Sequence, residues 1–129
     1  MTNLEIVQEI YEAFATEGID RVLALCDPNC HVTQDQALPW GGKYEGLDGV
    51  LAFGAALGGT IQSVITSDAL FTAGDQVIQY GRSRGTVLAT GVAFDSPEVH
   101  VWTIRAGKVT AAEFYVDTAV MLGALGEAA

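Results

Sequence analysis

The stretch from His100 to Asp117 constrains the fold most, because it has the pattern of a β-hairpin. Two runs rich in β-branched and aromatic residues, 99–105 and 109–116, flank the turn sequence Ala106-Gly107-Lys108. The period of two in a strand places His100 and Trp102 on one face. Both faces of the hairpin carry apolar side chains, so we expect helices to cover one face and a second subunit the other.

The remaining chain divides into helical segments followed by strands. Apolar residues recur at three- and four-residue steps in the first segment, which predicts an amphipathic helix capped by Thr2 or Asn3. The predicted helices cover residues 3–16, 20–26, 48–57 and 118–128. The predicted strands cover residues 30–35, 60–72, 76–90, 93–105 and 108–117, with a break at Asp95-Ser96-Pro97. Helices first and an antiparallel sheet afterwards indicate one α+β domain over residues 1–129.

Composition excludes several kinds of partner. The 129 residues include 16 acidic and 6 basic side chains, a net charge of −10, which argues against nucleic acid and anionic membranes. No apolar run reaches membrane-spanning length, and the N-terminus does not resemble a signal peptide. Cys26, Cys30 and His31 match no standard zinc spacing, so we expect two buried thiols in a cytoplasmic protein. We expect neither a metal nor a cofactor.

Five segments together resemble a known family: YEAFATEGID, LALCDPN, LPWGGKYEGLDGV, HVWTIRAGKV and YVDTA. In this order they resemble the SnoaL-like, ketosteroid isomerase-like group of the nuclear transport factor two-like superfamily. The resemblance implies a cone-shaped domain whose helices and concave sheet enclose a mostly apolar pocket, and usually a homodimer. It implies no single chemistry, because this fold hosts isomerases, cyclases, epoxide hydrolases, dehydratases and binding proteins.

The resemblance also implies positions for catalytic groups. In ketosteroid isomerases a carboxylate removes a proton next to a carbonyl, and two donors stabilise the oxyanion. The resemblance places one donor on Tyr11, the second on His100 and the base on Gln34. A glutamine cannot accept that proton, and Asp35 beside it points to the opposite face of a regular strand. The chain therefore departs from the standard isomerase pattern.

Each polar candidate has a structural alternative. His100 lies among apolar residues of a strand, where it is either a catalytic or ligand-contacting group or a core histidine with one hydrogen bond. Asp117 precedes an apolar, helix-like run, and we favour an N-cap over a catalytic carboxylate. Arg82 and Arg84 are either solvated sheet arginines or contacts for an anion or carbonyl.

Aromatic residues and polar neighbours complete the predicted pocket. Trp40 lies in a glycine-rich segment, which we interpret as a mobile lid at the pocket mouth. The candidate ligand-binding residues are Phe14, Gln34, Trp40, Phe53, Tyr80, Arg82, Trp102 and Phe114.

These residues predict a pocket for a small, fairly apolar ligand that carries a carbonyl or hydroxyl group. The expected function is a cofactor-free isomerase, cyclase or hydrolase that acts by proton transfer. In it, His100 is the acid/base or oxyanion donor, Tyr11 a second donor, and Asp35 or Asp117 the base. The alternative is a non-catalytic ligand-binding or protein-interaction domain. The expected partners are the small molecule and a second copy of the chain.

Overall fold

The computed structural model describes residues 1–16 and 18–126 of the chain. The helices are α1 (Asn3–Ala15), α2 (Ile19–Ala24), α3 (Gly46–Gly58) and α4 (Thr118–Ala124). The strands are β1 (Cys26–Gln34), β2 (Gly42–Glu45), β3 (Ile61–Ala73), β4 (Gln76–Val87), β5 (Ala93–Arg105) and β6 (Lys108–Val116). The α+β class is confirmed. Residues 127 and 128, which the sequence assigns to the last helix, lie outside the described residues.

The strands form one curved, open sheet in the order β2-β1-β6-β5-β4-β3. Successive strands from β3 to β6 pair antiparallel, as predicted, because short turns join them. The strand β1 is different: it pairs parallel with β6 and antiparallel with β2. No pattern in the sequence predicted this parallel pair. The four-residue β2 was missed, because it lies in a glycine-rich segment with no run of β-branched residues.

The first helix is fixed by its cap and by its apolar stripe. Thr2 and Glu5 form a reciprocal capping box, which confirms the predicted N-terminus. Ile6, Val7 and Ile10 are buried, so the helix lies with this face against the sheet. It contacts β3 and β4, which places the neighbouring Tyr11 close to the concave face of the sheet.

The two faces of the sheet differ in burial. On β5 the even-numbered residues from Phe94 to Ile104 face the helices, and all except His100 are buried. The opposite, convex face carries large side chains that are about half exposed, including Tyr80 and Tyr115. The concave face also buries polar side chains, namely Gln79, Ser83, Ser96 and Glu98. A polar group buried this deeply needs a partner, so this face is the place to search for chemistry.

Two local expectations were wrong. The segment Asp95-Ser96-Pro97 does not break a strand, because β5 pairs with β4 without interruption from Ala93 to Thr103. Trp40 is not at a pocket mouth, because its side chain is 1% exposed. A Cβ atom on Gly41 would lie 1.9 Å from the Asp35 carbonyl oxygen, so this glycine allows close backbone packing.

Within the described ranges, no helix has the length and apolar character to cross a bilayer.

Asp117 caps the last helix, as the sequence predicts. Its carboxylate accepts a hydrogen bond of 3.2 Å from the backbone N–H of Val120. We predict that Asp117→Ala lowers the free energy of unfolding by about 1 kcal/mol, whereas Asp117→Asn lowers it by much less, because asparagine caps nearly as well. Urea unfolding of both variants measures the difference. Equal losses for the two substitutions would contradict the capping role.

Candidate active site

Four side chains on the concave face form a continuous polar chain. The Trp102 indole Nε1 donates to the Tyr11 hydroxyl at 3.0 Å, and that hydroxyl lies 2.7 Å from His100 Nδ1. On the other side of the imidazole, His100 Nε2 lies 3.1 Å from Glu98 Oε2. The chain therefore runs from an indole, through a phenol and an imidazole, to a carboxyl group.

The positions of these residues follow from the periods of a strand and a helix. Glu98, His100 and Trp102 alternate along β5, so all three face the helices. Tyr11 follows the buried Ile10 on α1, at the edge of the apolar stripe that packs against the sheet. The stripe is buried and Tyr11 is half buried, and the tyrosine hydroxyl lies between His100 and Trp102.

Aromatic rings surround the imidazole. Phe114 on β6 packs edge-on against His100, with 4.6 Å between ring centroids, and against Trp102 at 5.4 Å. Phe53 on α3 stacks on Phe114 at 5.3 Å. The His100 side chain is 12% exposed. The polar chain is therefore set in a low-dielectric, largely apolar wall, in which its hydrogen bonds are stronger than in water.

Burial sets the protonation states of these groups. Burial lowers the pKa of His100 to about 3, so its imidazole is neutral at physiological pH. Burial also raises the pKa of Tyr11 above its ordinary value, although the hydrogen bond from Trp102 acts in the opposite direction. Tyr11 consequently keeps its proton. Both groups are hydrogen-bonding groups at neutral pH and neither is charged.

Among the four side chains of the polar chain, Glu98 is the one that titrates near neutral pH. Burial raises its pKa to about 7, the nearby Gln79 amide opposes this rise, and the charge of Asp68 adds to it. Both carboxyl oxygens are fully buried, and neither has a well-aligned hydrogen bond, although Oε2 lies close to His100. Sequence reasoning missed Glu98. The available signal was its position two residues before His100, which places it on the same strand face.

Gln34 and Trp40 are bound to each other. The Gln34 Oε1 atom accepts a hydrogen bond of 3.0 Å from the Trp40 indole, and both side chains are buried. Asp35 is exposed, and its Oδ1 accepts a bond of 2.8 Å from the backbone N–H of Ala37. Gln34 is thus part of a buried pair, and Asp35 stabilises a turn.

A cleft of about 280 Å³ opens beside this pair, where β1, β6 and α4 meet. Its lining residues are Thr33, Gln34, Asp35, Phe114, Tyr115, Val116 and Thr118. Phe114 borders both the cleft and the imidazole. The cleft therefore reaches the aromatic wall of the polar chain, with Phe114 between the two.

The remaining sequence candidates are not brought to the polar chain. Tyr80 and Arg82 lie on the convex face, where the Arg82 guanidinium donates to Asp95 at 2.6 Å. Phe14 lies almost one turn after Tyr11 and is 49% exposed. Cys26 and Cys30 are buried free thiols, as predicted. Among the described residues, no three His, Cys, Asp or Glu side chains are grouped closely enough to hold a metal ion.

A family model for the SnoaL-like domain matches residues 7–112, which include Tyr11, Glu98, His100 and Trp102. The chain belongs to the SnoaL-like family. The resemblance inferred from the sequence is confirmed. A sequence comparison with curated proteins gives no significant match.

Solved structures of SnoaL-like and related proteins share the whole fold. An NTF2-like protein from Burkholderia thailandensis is 31% identical, with a TM-score of 0.89 over 97% of this chain and 98% of that one. TerC, co-crystallised with polyporic acid, is 24% identical, with a TM-score of 0.88 over 97% and 98% of the two chains. A putative polyketide cyclase from Pseudomonas putida is 19% identical, with a TM-score of 0.85 over 96% and 98%.

The raised pKa of Glu98 predicts a pH-dependent stability. The protonated form is favoured in the folded state, so its contribution is complete below the ordinary pKa of 4.5 and is lost as the pH rises through about 7. Relative to Glu98→Gln, which cannot ionise, the wild type should lose about 2–3 kcal/mol of unfolding free energy between pH 4 and 8. Urea unfolding of both proteins across this range measures the loss.

The control is Glu113→Gln, which removes a carboxylate from β6 outside the polar chain. The contribution of His100 is common to all three proteins and cancels in the comparison. A constant difference between wild type and Glu98→Gln over the whole pH range would contradict the assignment of Glu98.

Proposed function

We propose that this protein binds a small, fairly apolar ligand with a carbonyl or hydroxyl oxygen and acts on it by proton transfer. In this proposal it is a cofactor-free isomerase, cyclase or hydrolase. The observation that carries the proposal is the Tyr11 hydroxyl 2.7 Å from the His100 imidazole, on a wall formed by Trp102 and Phe114. Polar atoms that converge in an apolar setting are typical of sites that fix a ligand by one oxygen.

Tyr11 is the group that meets the ligand oxygen in this proposal. The residue is half buried, and its hydroxyl retains its proton because burial raises its pKa. A neutral donor that stays protonated suits a developing oxyanion, since it can share a proton without carrying a charge of its own. His100 orients this hydroxyl from one side and Trp102 from the other.

In this proposal Glu98, and not Asp35 or Asp117, is the carboxyl group of the site. Asp117 caps α4, and Asp35 closes a turn at the cleft. Glu98 contacts the imidazole at 3.1 Å, and its pKa of about 7 lets it hold or release a proton under physiological conditions. A group with such a pKa is suited to general acid–base catalysis.

The comparisons support a small organic ligand without identifying it. TerC was co-crystallised with polyporic acid, and a protein of similar fold from Catenulispora acidiphila, 20% identical, was solved in complex with trimethylamine. Two further structural neighbours are putative polyketide cyclases. We extend to this chain only the class of small organic ligand, because the identities are too low to transfer a substrate.

A non-catalytic binding domain is the second candidate. The observation in its favour is the buried hydrogen bond from the Trp40 indole to Gln34, the residue that the family resemblance places at the isomerase base position. The two candidates differ in one property: only the enzyme moves protons between a bound ligand and solvent. Free thiols at Cys26 and Cys30 support a reducing, cytoplasmic location for either function.

We also propose a homodimer that uses the convex face. Tyr80, Val99 and Tyr115 form a row across β4, β5 and β6, and Phe71 extends the apolar surface onto β3. A contiguous apolar surface of this kind marks an interaction site, and a second copy offers an identical surface for a two-fold contact.

For this dimer, analytical ultracentrifugation at micromolar concentration should give a dimer for the wild type. The double variant Tyr80→Lys/Tyr115→Lys should be a monomer, because it places charges in the contact. Phe14→Lys changes an exposed aromatic residue on α1 and should leave the dimer intact. A monomeric wild type would refute the proposal.

Ligand binding is tested by removing the polar function of His100. His100→Phe should bind a carbonyl-containing apolar ligand more weakly than wild type by about 1–3 kcal/mol. The reason is that the Tyr11 hydroxyl loses the hydrogen-bond partner that orients it for the ligand oxygen. Fluorescence of Trp40 and Trp102 reports binding across polyketide-like and terpenoid ketones. Hydrocarbon analogues of the same size should bind equally to both proteins.

Tyr80→Phe is the matched control, because it removes a polar atom from an aromatic side chain on the convex face. It should bind as wild type does. If His100→Phe retains wild-type affinity for every ketone that binds, the proposed site is wrong.

A further inference from the structure

The site contains a mismatch between the group that can change its protonation and the group that a ligand can reach. Glu98 has the near-neutral pKa, yet both of its carboxyl oxygens are fully buried. Tyr11 is half buried and, in the proposed function, meets the ligand, yet its own proton is held too tightly to be released at neutral pH. His100 lies between the two and contacts both.

The hydrogen-bonding capacity of a neutral imidazole allows two arrangements of this chain. One ring nitrogen donates and the other accepts. When Glu98 is ionised, His100 Nε2–H donates to the carboxylate, and Nδ1 accepts the Tyr11 O–H. When Glu98 is protonated, its O–H donates to Nε2, and Nδ1–H donates to the Tyr11 oxygen. In this second arrangement the Tyr11 oxygen accepts from both His100 and Trp102.

The two arrangements leave Tyr11 with different functions. In the first, the Tyr11 O–H donates to His100, so it has no hydrogen left to donate to a ligand. In the second, both lone pairs of the Tyr11 oxygen accept hydrogen bonds, one from His100 and one from Trp102. Its O–H has no acceptor within the polar chain and can donate to a ligand oxygen. Trp102 can only donate, and it occupies the same lone pair in both arrangements. It is therefore a positioning residue for Tyr11.

We propose that Glu98, His100 and Tyr11 form a proton relay that delivers the buried Glu98 proton to a ligand oxygen at Tyr11. Three transfers occur together: Glu98 O–H gives its proton to His100 Nε2, His100 Nδ1–H gives its proton to the Tyr11 oxygen, and Tyr11 O–H gives its proton to the ligand. The ligand gains one proton and Glu98 becomes a carboxylate. His100 changes tautomer and remains neutral, and Tyr11 remains a phenol. The delivery step rests on the proposed function, whereas the tautomer change in the free protein does not.

The surroundings of Glu98 favour its protonated form. On β4, the facing residues are Gly81, its direct partner, and the neutral Gln79, and the partner on β6 is the apolar Val116. On β5 and α1 the nearby titratable groups are His100 and Tyr11, both neutral. On β3 the charge of Asp68 opposes ionisation of Glu98. No cation among these groups offsets the charge of a carboxylate. Glu98 therefore carries its proton below about pH 7 and is a carboxylate above it.

The test is the ¹⁵N NMR signal of the His100 ring nitrogens in the free protein between pH 5 and 9, assigned with a His31→Gln variant. We expect a change from the Nδ1–H to the Nε2–H tautomer with a midpoint near 7 and no doubly protonated ring. Glu98→Gln should hold one tautomer across the range, and Glu113→Gln should change as wild type does. Asp68→Asn removes a negative charge at an exposed position, so it should lower the midpoint even if Glu98→Gln fails to fold.

A single His100 tautomer over the whole range in wild type would overturn the relay. So would a doubly protonated ring at the midpoint, a change that persists in Glu98→Gln, or an unshifted midpoint in Asp68→Asn. Because no ligand is present, these outcomes are separate from the ketone titration: a tautomer change in a protein that binds no ketone refutes the proposed function alone, and ketone binding without a tautomer change refutes the relay alone.

Discussion

The hydrogen bond between Tyr11 and His100 is the interaction on which the site depends. It joins the first helix to the fifth strand across 89 residues of sequence, inside an aromatic wall that excludes most water. Burying an imidazole or a phenol without a hydrogen-bond partner costs free energy. Each of these two groups therefore needs the other as its partner on the concave face. The same requirement brings Trp102 and Glu98 to the two ends of the pair.

The fold supplies this pair at a defined distance. The capping box at Thr2 and Glu5 fixes where α1 begins, and its buried apolar residues fix which face meets the sheet. The uninterrupted ladder between β4 and β5 fixes the direction of His100. Because α1 and β5 are rigid elements, the main change open to this pair is which of the two groups donates the hydrogen bond. That direction is controlled by a proton on Glu98, because the indole at the other end donates in either case.

Much of the fold and part of the site could be predicted from the sequence. The four long strands, the first helix and the Asp117 cap all have local signals of period, turn or cap, and the structure has all of them. The pairing of Tyr11 with His100 came from the family resemblance, and the structure brings the two together. The parallel β1–β6 pair and the burial of Trp40 depend on contacts distant in sequence, for which no local pattern exists. Glu98 was missed because a glutamate in a strand usually faces solvent, and its direction depends on which face the helices cover.

The most direct measurement of the central claim is proton exchange between a bound ketone and solvent. In D₂O, proton NMR follows the loss of C–H signal at the carbon next to the carbonyl of a ketone that the protein binds. If Tyr11, oriented by His100, donates to the carbonyl oxygen while water removes the proton from the neighbouring carbon, the wild type should accelerate this loss, and Tyr11→Phe and His100→Phe should reduce the acceleration about 10²-fold or more. An uncatalysed rate with every ketone that binds to the wild type would contradict proton transfer at this site.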